Sequence, residues 1–109
     1  MKSVVGHWKY QRYSAILLLF ISLWLSISII CFSNYDYNQI VSWIRSPYGY
    51  LLLLVFFITS FFHARLGIQV VLEDYVSNEG LRNNLILIVK YLSWLLSALA
   101  VLFVLMIVF

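Results

Sequence analysis

The sequence predicts an all-α membrane protein with three transmembrane helices. Hydrophobic residues make up 64% of the 109 residues, and charged residues make up only 10%. A soluble domain usually carries about 25% charged residues, and a chain of this size could not hide so much apolar surface in a core. Three apolar stretches, each long enough for the roughly 20 residues that cross a bilayer, are separated by two polar connectors.

The first apolar stretch predicts a helix over residues 13–34, which contain no charged side chain. Lys2, Lys9 and Arg12 precede this stretch, as the charged region precedes the apolar region of a signal peptide. The apolar run is too long for a signal peptide, however, and no small-residue cleavage site follows it. We therefore expect a retained first helix and no removable presequence.

The second predicted helix covers residues 48–73 and the third covers residues 85–109. Pro47 is the only proline, and its place before the second stretch suits a pre-helix or first-turn position. The third stretch has one charged residue, Lys90, near its start.

The polar connectors are Ser33–Ser46 and Glu73–Asn84. Neither contains a Gly/Ser linker, and the chain shows no internal repeat. We therefore expect one membrane-anchor domain over residues 1–109, with its helices packed as a bundle.

The basic residues predict the orientation of the chain. With three spans, the N-terminus and the second connector lie on one side, and this side collects most of the basic residues: Lys2, Lys9, Arg12, Arg82 and Lys90. The other side has only Arg45. We expect the N-terminus to face the bacterial cytoplasm or the mitochondrial matrix, with the C-terminus outside.

Charge and cysteine content exclude several functions. A net charge of +3 is too small and too scattered for a nucleic-acid-binding face, so no nucleic-acid partner is expected. The single cysteine, Cys31, excludes a disulfide framework and any all-cysteine metal site built by this chain alone.

His63 is the ionisable residue that points most directly to function, because such groups are expensive inside a membrane helix. At about 100° per residue, His63, Gly67, Val70 and Asp74 share one stripe. A neutral imidazole is a common axial ligand of haem iron, and Gly67 would clear the next turn for a flat macrocycle. Small residues also promote ordinary helix–helix contact, and a lone histidine can hydrogen-bond to a partner helix.

Asp74 and Tyr75 lie roughly 16–18 Å beyond His63 along a continuous helix, which brings them to the membrane interface. Carboxylates at a helix C-terminus oppose the macrodipole, and Arg12 and Arg82 are the cations that could offset this cost. The Tyr75 phenol could donate a hydrogen bond to a carbonyl-bearing ligand. Tyr75 also fits an aromatic-belt residue beside solvated acids.

The motif around His63 resembles the signature of the small hydrophobic membrane-anchor subunits of succinate dehydrogenase, respiratory complex II, in their alphaproteobacterial and mitochondrial form. The matching residues are His63, Leu66, Gly67, Gln69, Val70, Val71, Glu73, Asp74, Tyr75 and Val76. Two further segments are similar to the family, Gly6–Ile16 at the start of the first helix and Glu79–Arg82 before the last helix. The connector Ser33–Ser46 matches no family pattern, and Arg65 fills a variable position.

The resemblance implies a role for each matching residue. His63 corresponds to an axial ligand of haem b, whose opposite ligand comes from a second cytochrome b-type anchor subunit. Tyr75 corresponds to the tyrosine that hydrogen-bonds a ubiquinone carbonyl, with Asp74 beside it. Arg12 falls where the family has an arginine near the haem propionates and the quinone pocket.

The resemblance also implies a function. The chain would hold the flavoprotein and iron–sulfur subunits to the membrane and form one wall of the ubiquinone-reduction site, with no dehydrogenase chemistry and no catalytic residue of its own. Its richness in Phe, Tyr, Ile and Ser suggests the mitochondrial inner membrane, with a bacterial inner membrane as the alternative. The rival functions are a fumarate reductase anchor, which redox titration would distinguish, and a small multidrug transporter. A transporter of that class needs four helices and a carboxylate within the first.

Overall fold

The computed structural model describes the backbone of residues 4–109 and the side chains of residues 6–109. Lys2, which contributes to the predicted orientation, lies outside the described residues. The elements in chain order are α1 (Val4–Cys31), a 3₁₀ turn (Phe32–Asn34), α2 (Tyr37–Arg45), α3 (Pro47–Tyr75) and α4 (Glu79–Val108).

Within the described residues, three helices are long and apolar enough to span a membrane: α1, α3 and α4. This confirms the predicted all-helical architecture with three candidate spans. At 1.5 Å per residue, the 29 residues of α3 extend about 43 Å, which exceeds the roughly 30 Å of a bilayer's hydrocarbon core. Both ends of α3 can therefore reach the interfaces.

Helix α1 begins at Val4, ahead of the apolar stretch that starts at residue 13. The difference has a simple physical reason, since hydropathy marks the part of a helix that lies in hydrocarbon and not the part that extends into the headgroups. The polar first turns of α1, from His7 to Arg12, are helical although they carry charged and amide side chains.

The first connector, which the sequence predicts only to be polar, contains the helix α2. The Asp36 carboxylate accepts a hydrogen bond from the backbone N–H of Gln39 at 2.9 Å. The side-chain oxygen of Gln39 accepts one from the backbone N–H of Asp36 at 2.8 Å. This reciprocal capping box starts α2. Ser46 ends α2 and caps α3 with its hydroxyl, and Pro47 takes the first helical position.

Helix α3 is central, because it packs against α1, α2 and α4. The buried residues are few: Ser14, Ile21, Gly49, Leu52, Leu66, Ser93 and Val104. Most of the large apolar side chains on α1 and α4, and many on α3, are exposed in the isolated chain. In a bilayer such side chains contact lipid or neighbouring subunits and need no internal core.

Candidate functional site

His63 lies in α3 where this helix contacts α1. The Nδ1 atom of His63 is 2.8 Å from the Ser14 hydroxyl oxygen, although the two residues are 49 positions apart in the sequence. Ser14 also donates a hydrogen bond to the Gln11 carbonyl at 3.0 Å, within α1. No hydrogen bond from the described residues, 6–109, reaches the other ring nitrogen, Nε2. The histidine is therefore held at one nitrogen and has the other available.

Gly67 lies one turn beyond His63 and faces the same neighbouring helix. A Cβ atom at Gly67 would have the Gln11 side-chain nitrogen as its nearest neighbour, at 3.5 Å, which is an ordinary van der Waals distance. Later residues of α3 thus meet earlier residues of α1, so the two helices run antiparallel. The packing of α1 on α3 does not by itself require a glycine here.

Asp74 and Tyr75 end α3, and both are exposed. The Tyr75 side chain is 83% exposed, so its phenol is available to a ligand or to another subunit. Glu73 accepts a hydrogen bond from the Gln69 side chain at 2.9 Å, one turn earlier on α3. This helix end lies on the same side of the molecule as the N-terminal turns of α1.

The two arginines expected to offset the acidic helix end have other contacts. The Arg12 guanidinium carbon lies 4.6 Å from the centroid of the Trp8 ring, a cation–π distance. Arg82 donates to the Val76 carbonyl at 3.4 Å. Both arginines lie near the end of the bundle where α3 ends, but neither contact is to Asp74.

Sequence reasoning missed a polar stripe along α1. His7, Gln11 and Ser14 follow the i, i+4, i+7 spacing of one helix face, and this spacing is the signal that could have revealed them. The His7 Nε2 atom and the Gln11 side-chain oxygen are buried without a hydrogen-bond partner among the described residues. The stripe leads from the level of His63 towards the N-terminal turns of α1.

Arg65 also carries a buried nitrogen, its Nε, without a hydrogen-bond partner among the residues that the structure describes. Its guanidinium carbon lies 5.2 Å from the centroid of the Phe62 ring. The contact with Phe62 provides a cation–π attraction, but it leaves the hydrogen-bonding capacity of the guanidinium unused at Nε.

The donor set fits one axial position of a haem. An iron ligand needs the lone pair of one ring nitrogen, while the other nitrogen is usually held by a second group that fixes the ring. His63 meets both conditions, with Nδ1 beside Ser14 and Nε2 free. The chain's other histidine, His7, lies on α1 about two turns before Ser14.

Comparison with known proteins identifies similar chains. The family model described as succinate dehydrogenase/fumarate reductase transmembrane subunit matches residues 2–109. The succinate dehydrogenase hydrophobic membrane anchor subunit of Rickettsia bellii is 46% identical over 92 residues, which cover 84% of this chain and 74% of that protein. The proteins of the same name from Rickettsia conorii and Rickettsia felis are 41% and 42% identical, over 82% and 77% of this chain and 71% and 70% of their own. No solved structure matches the chain significantly.

Proposed function

The chain belongs to the succinate dehydrogenase/fumarate reductase transmembrane subunit family, as a succinate dehydrogenase hydrophobic membrane anchor, and we propose that it binds haem b and forms part of a ubiquinone-reduction site. In this proposal His63 is one axial ligand of the haem iron. Tyr75 and Asp74 line the quinone site, with Arg12 near the haem propionates or the quinone. The oxidation of succinate takes place on other subunits.

The observation that carries the proposal is the arrangement of α3. One helix places His63 at the contact with α1, with Nε2 free of hydrogen bonds from residues 6–109, and ends with the exposed phenol of Tyr75. His63 lies where a membrane helix would otherwise be apolar, and an ionisable residue at such a position marks a functional site.

A bound haem b would supply a one-electron carrier within the membrane. His63 would hold the iron through Nε2, while Ser14 keeps Nδ1 occupied. Gly67 leaves the adjacent turn without a side chain, so we propose that the macrocycle packs there.

The quinone chemistry of this chain rests on Tyr75. As a quinone carbonyl is reduced, negative charge develops on its oxygen, and a positioned phenol stabilises that charge by donating a hydrogen bond. The Asp74 carboxylate lies next to Tyr75 at the same helix end and makes the surroundings of the phenol polar. Arg12 presents a fixed positive charge at the same end of the bundle.

The chain needs partners to complete these sites, and its exposed apolar side chains support their presence. A second anchor subunit would supply the opposite haem ligand and cover part of this surface, and lipid would cover the rest. The flavoprotein and iron–sulfur subunits would dock on the inner side, where the α3–α4 corner and the N-terminal turns of α1 lie. The relatives come from Rickettsia, which favours a bacterial inner membrane over a mitochondrial one.

Substitution of Tyr75 by Phe tests the quinone site. A hydrogen bond to a group that becomes charged contributes about 1.5–3 kcal/mol, so we expect kcat/KM for ubiquinone reduction to fall roughly 10- to 150-fold. Succinate oxidation measured with an artificial dye acceptor should stay near normal, because the flavoprotein is untouched.

Tyr48→Phe is the matched control, since Tyr48 is also exposed, at 78%, but lies at the opposite end of α3. This variant should leave both activities unchanged. Equal loss of both activities in Tyr75→Phe, or equal behaviour of the two variants, contradicts the proposed quinone role.

A further inference from the structure

We propose that Ser14 is a positioning residue for His63, and that its hydroxyl selects the imidazole tautomer whose free Nε2 can bind iron. The inference rests on the proposed function of His63 and adds a role for a residue of another helix. Ser14 is 6% exposed and lies within the candidate membrane span of α1.

Counting protons assigns the tautomer. The Ser14 hydroxyl has one proton and touches two groups, the Gln11 carbonyl at 3.0 Å and His63 Nδ1 at 2.8 Å. A carbonyl oxygen can only accept, so the proton of Ser14 goes to Gln11. The contact with His63 is then a hydrogen bond only if Nδ1 carries a proton and donates it to Ser14. Neutral imidazole has one N–H, so Nε2 keeps its lone pair.

The alternative proton arrangement loses a hydrogen bond. If Ser14 donated to Nδ1, two oxygen lone pairs of Ser14 and Gln11 would face each other at 3.0 Å with no proton between them. Ser14 is buried, so no bulk water compensates for such a contact. The geometry therefore favours the tautomer that iron ligation requires.

A second buried serine, Ser93, makes the same hydrogen bond within its helix but has no hydrogen bond to a histidine among the described residues. Ser93 in α4 is also buried, at 8%, and donates to the Lys90 carbonyl three residues earlier, at 2.9 Å. This is the same intrahelical bond that Ser14 makes with Gln11. Satisfying a hydroxyl inside a helix thus explains Ser93 completely, whereas Ser14 has the additional contact with His63.

The contact also fixes the ring relative to α1. Without it, the imidazole could rotate about its side-chain bonds, which would move Nε2 away, or exchange tautomers, which would place a proton on Nε2 and remove its free lone pair. Donation from Nδ1 to an oxygen also raises the basicity of the ligand, which favours ferric over ferrous iron. Loss of the hydroxyl should therefore weaken haem retention and shift the haem midpoint potential to a more positive value.

The test compares four variants of the assembled complex in detergent: Ser14→Ala, Ser14→Thr, Ser93→Ala and His63→Ala. The measurements are haem per complex, the reduced-minus-oxidised visible spectrum and the haem midpoint potential. We expect Ser14→Ala to show a more positive potential, with a lower haem content. Ser14→Thr keeps a hydroxyl and should restore the parental values, and Ser93→Ala should match the parent. Should Ser14→Ala fail to assemble, Ser14→Cys takes its place, because a thiol is a poor acceptor of similar size.

Two results overturn the inference and are distinguishable from failure of the proposed function. A Ser14→Ala complex with the haem content and potential of Ser93→Ala shows that the hydroxyl does not position the ring. A Ser14→Thr complex that behaves like Ser14→Ala shows that the hydroxyl is not the active feature. Full haem retention in His63→Ala instead removes His63 as a ligand, and the proposed haem role fails together with this inference.

Discussion

Several polar atoms of α1 and α3 are buried without hydrogen-bond partners among the residues that the structure describes. The His7 Nε2, the Gln11 side-chain oxygen and the Arg65 Nε have no hydrogen-bond partner within residues 6–109. Leaving a buried polar group unsatisfied costs about 1–3 kcal/mol, so a chain rarely keeps three of them without compensation. At the residue scale, helix packing leaves these three buried atoms without compensation from residues 6–109.

Substitution of Gly67 by alanine distinguishes a role of this residue in helix packing from a role in haem packing. A methyl group at this position would meet Gln11 at an ordinary distance, and alanine favours a helix by about 0.8–1 kcal/mol over glycine. We expect Gly67→Ala to leave the thermal stability of the haem-free chain unchanged or slightly raised. The haem content of the assembled complex should fall, because the added methyl group occupies space proposed for the macrocycle. Parental haem content in this variant would remove Gly67 from the proposed haem surface.

The connector between α1 and α3 contains a helix, α2, that hydropathy does not reveal. Its capping pattern, Asp36 followed three residues later by Gln39, was visible in the sequence as a helix start signal. Two contacts then fix α2 against its neighbours. The Phe32 and Trp43 rings meet edge to face with centroids 4.8 Å apart, and Arg45 donates to the Ile107 carbonyl at 2.9 Å. The cation of Arg45 thereby satisfies a carbonyl in the last turn of α4, where positive charge is favoured.

The junction of α2 and α3 depends on a close approach between Gly49 of α3 and the backbone of α2. A Cβ atom there would overlap the backbone carbonyl of Trp43, and a backbone group cannot move aside as a side chain can. We expect Gly49→Ala to destabilise the chain by about 1–3 kcal/mol, the usual cost of overpacking. Thermal unfolding of the purified complex in detergent measures the effect.

Gly80 provides the control for this prediction, because a Cβ atom there would have Asn78 as its nearest neighbour at 3.5 Å. Gly80→Ala should be neutral or slightly stabilising in the same unfolding measurement. Equal stability of the Gly49 and Gly80 variants would contradict the packing argument.

At the scale of the whole molecule, the bundle has a thin core and a large apolar surface. Helix α3 contacts all the other helices, while the outward faces of α1 and α4 expose side chains such as Phe20, Ile30 and Met106. The three long helices alternate in direction. The N-terminal turns of α1 and the α3–α4 corner therefore lie at one end, and α2 lies with the end of α4 at the other. Only lipid or neighbouring subunits can cover such a surface.

The orientation of the bundle is a prediction that single cysteines can test. In a Cys31→Ser background, Asn38→Cys marks α2 and Asn83→Cys marks the first turns of α4, and both positions are exposed. With the N-terminus inside, a membrane-impermeant maleimide should label Asn38→Cys in sealed vesicles that expose the outer face. Asn83→Cys should react only after detergent opens the vesicles. The opposite labelling pattern would reverse the proposed orientation and move Tyr75 away from the soluble subunits.

The sequence by itself determined the number of membrane helices and the ionisable residues within them. It could do so because the thickness of hydrocarbon fixes how long an apolar run must be. The tertiary structure decided which residues of α1 face His63. Polar and small residues mark one face of α1 and one face of α3 in the sequence, but the spacing within each helix does not show how far one helix is shifted along the other. The Ser14–His63 contact depends on the rotation and register of two helices, and only their packed arrangement could place it.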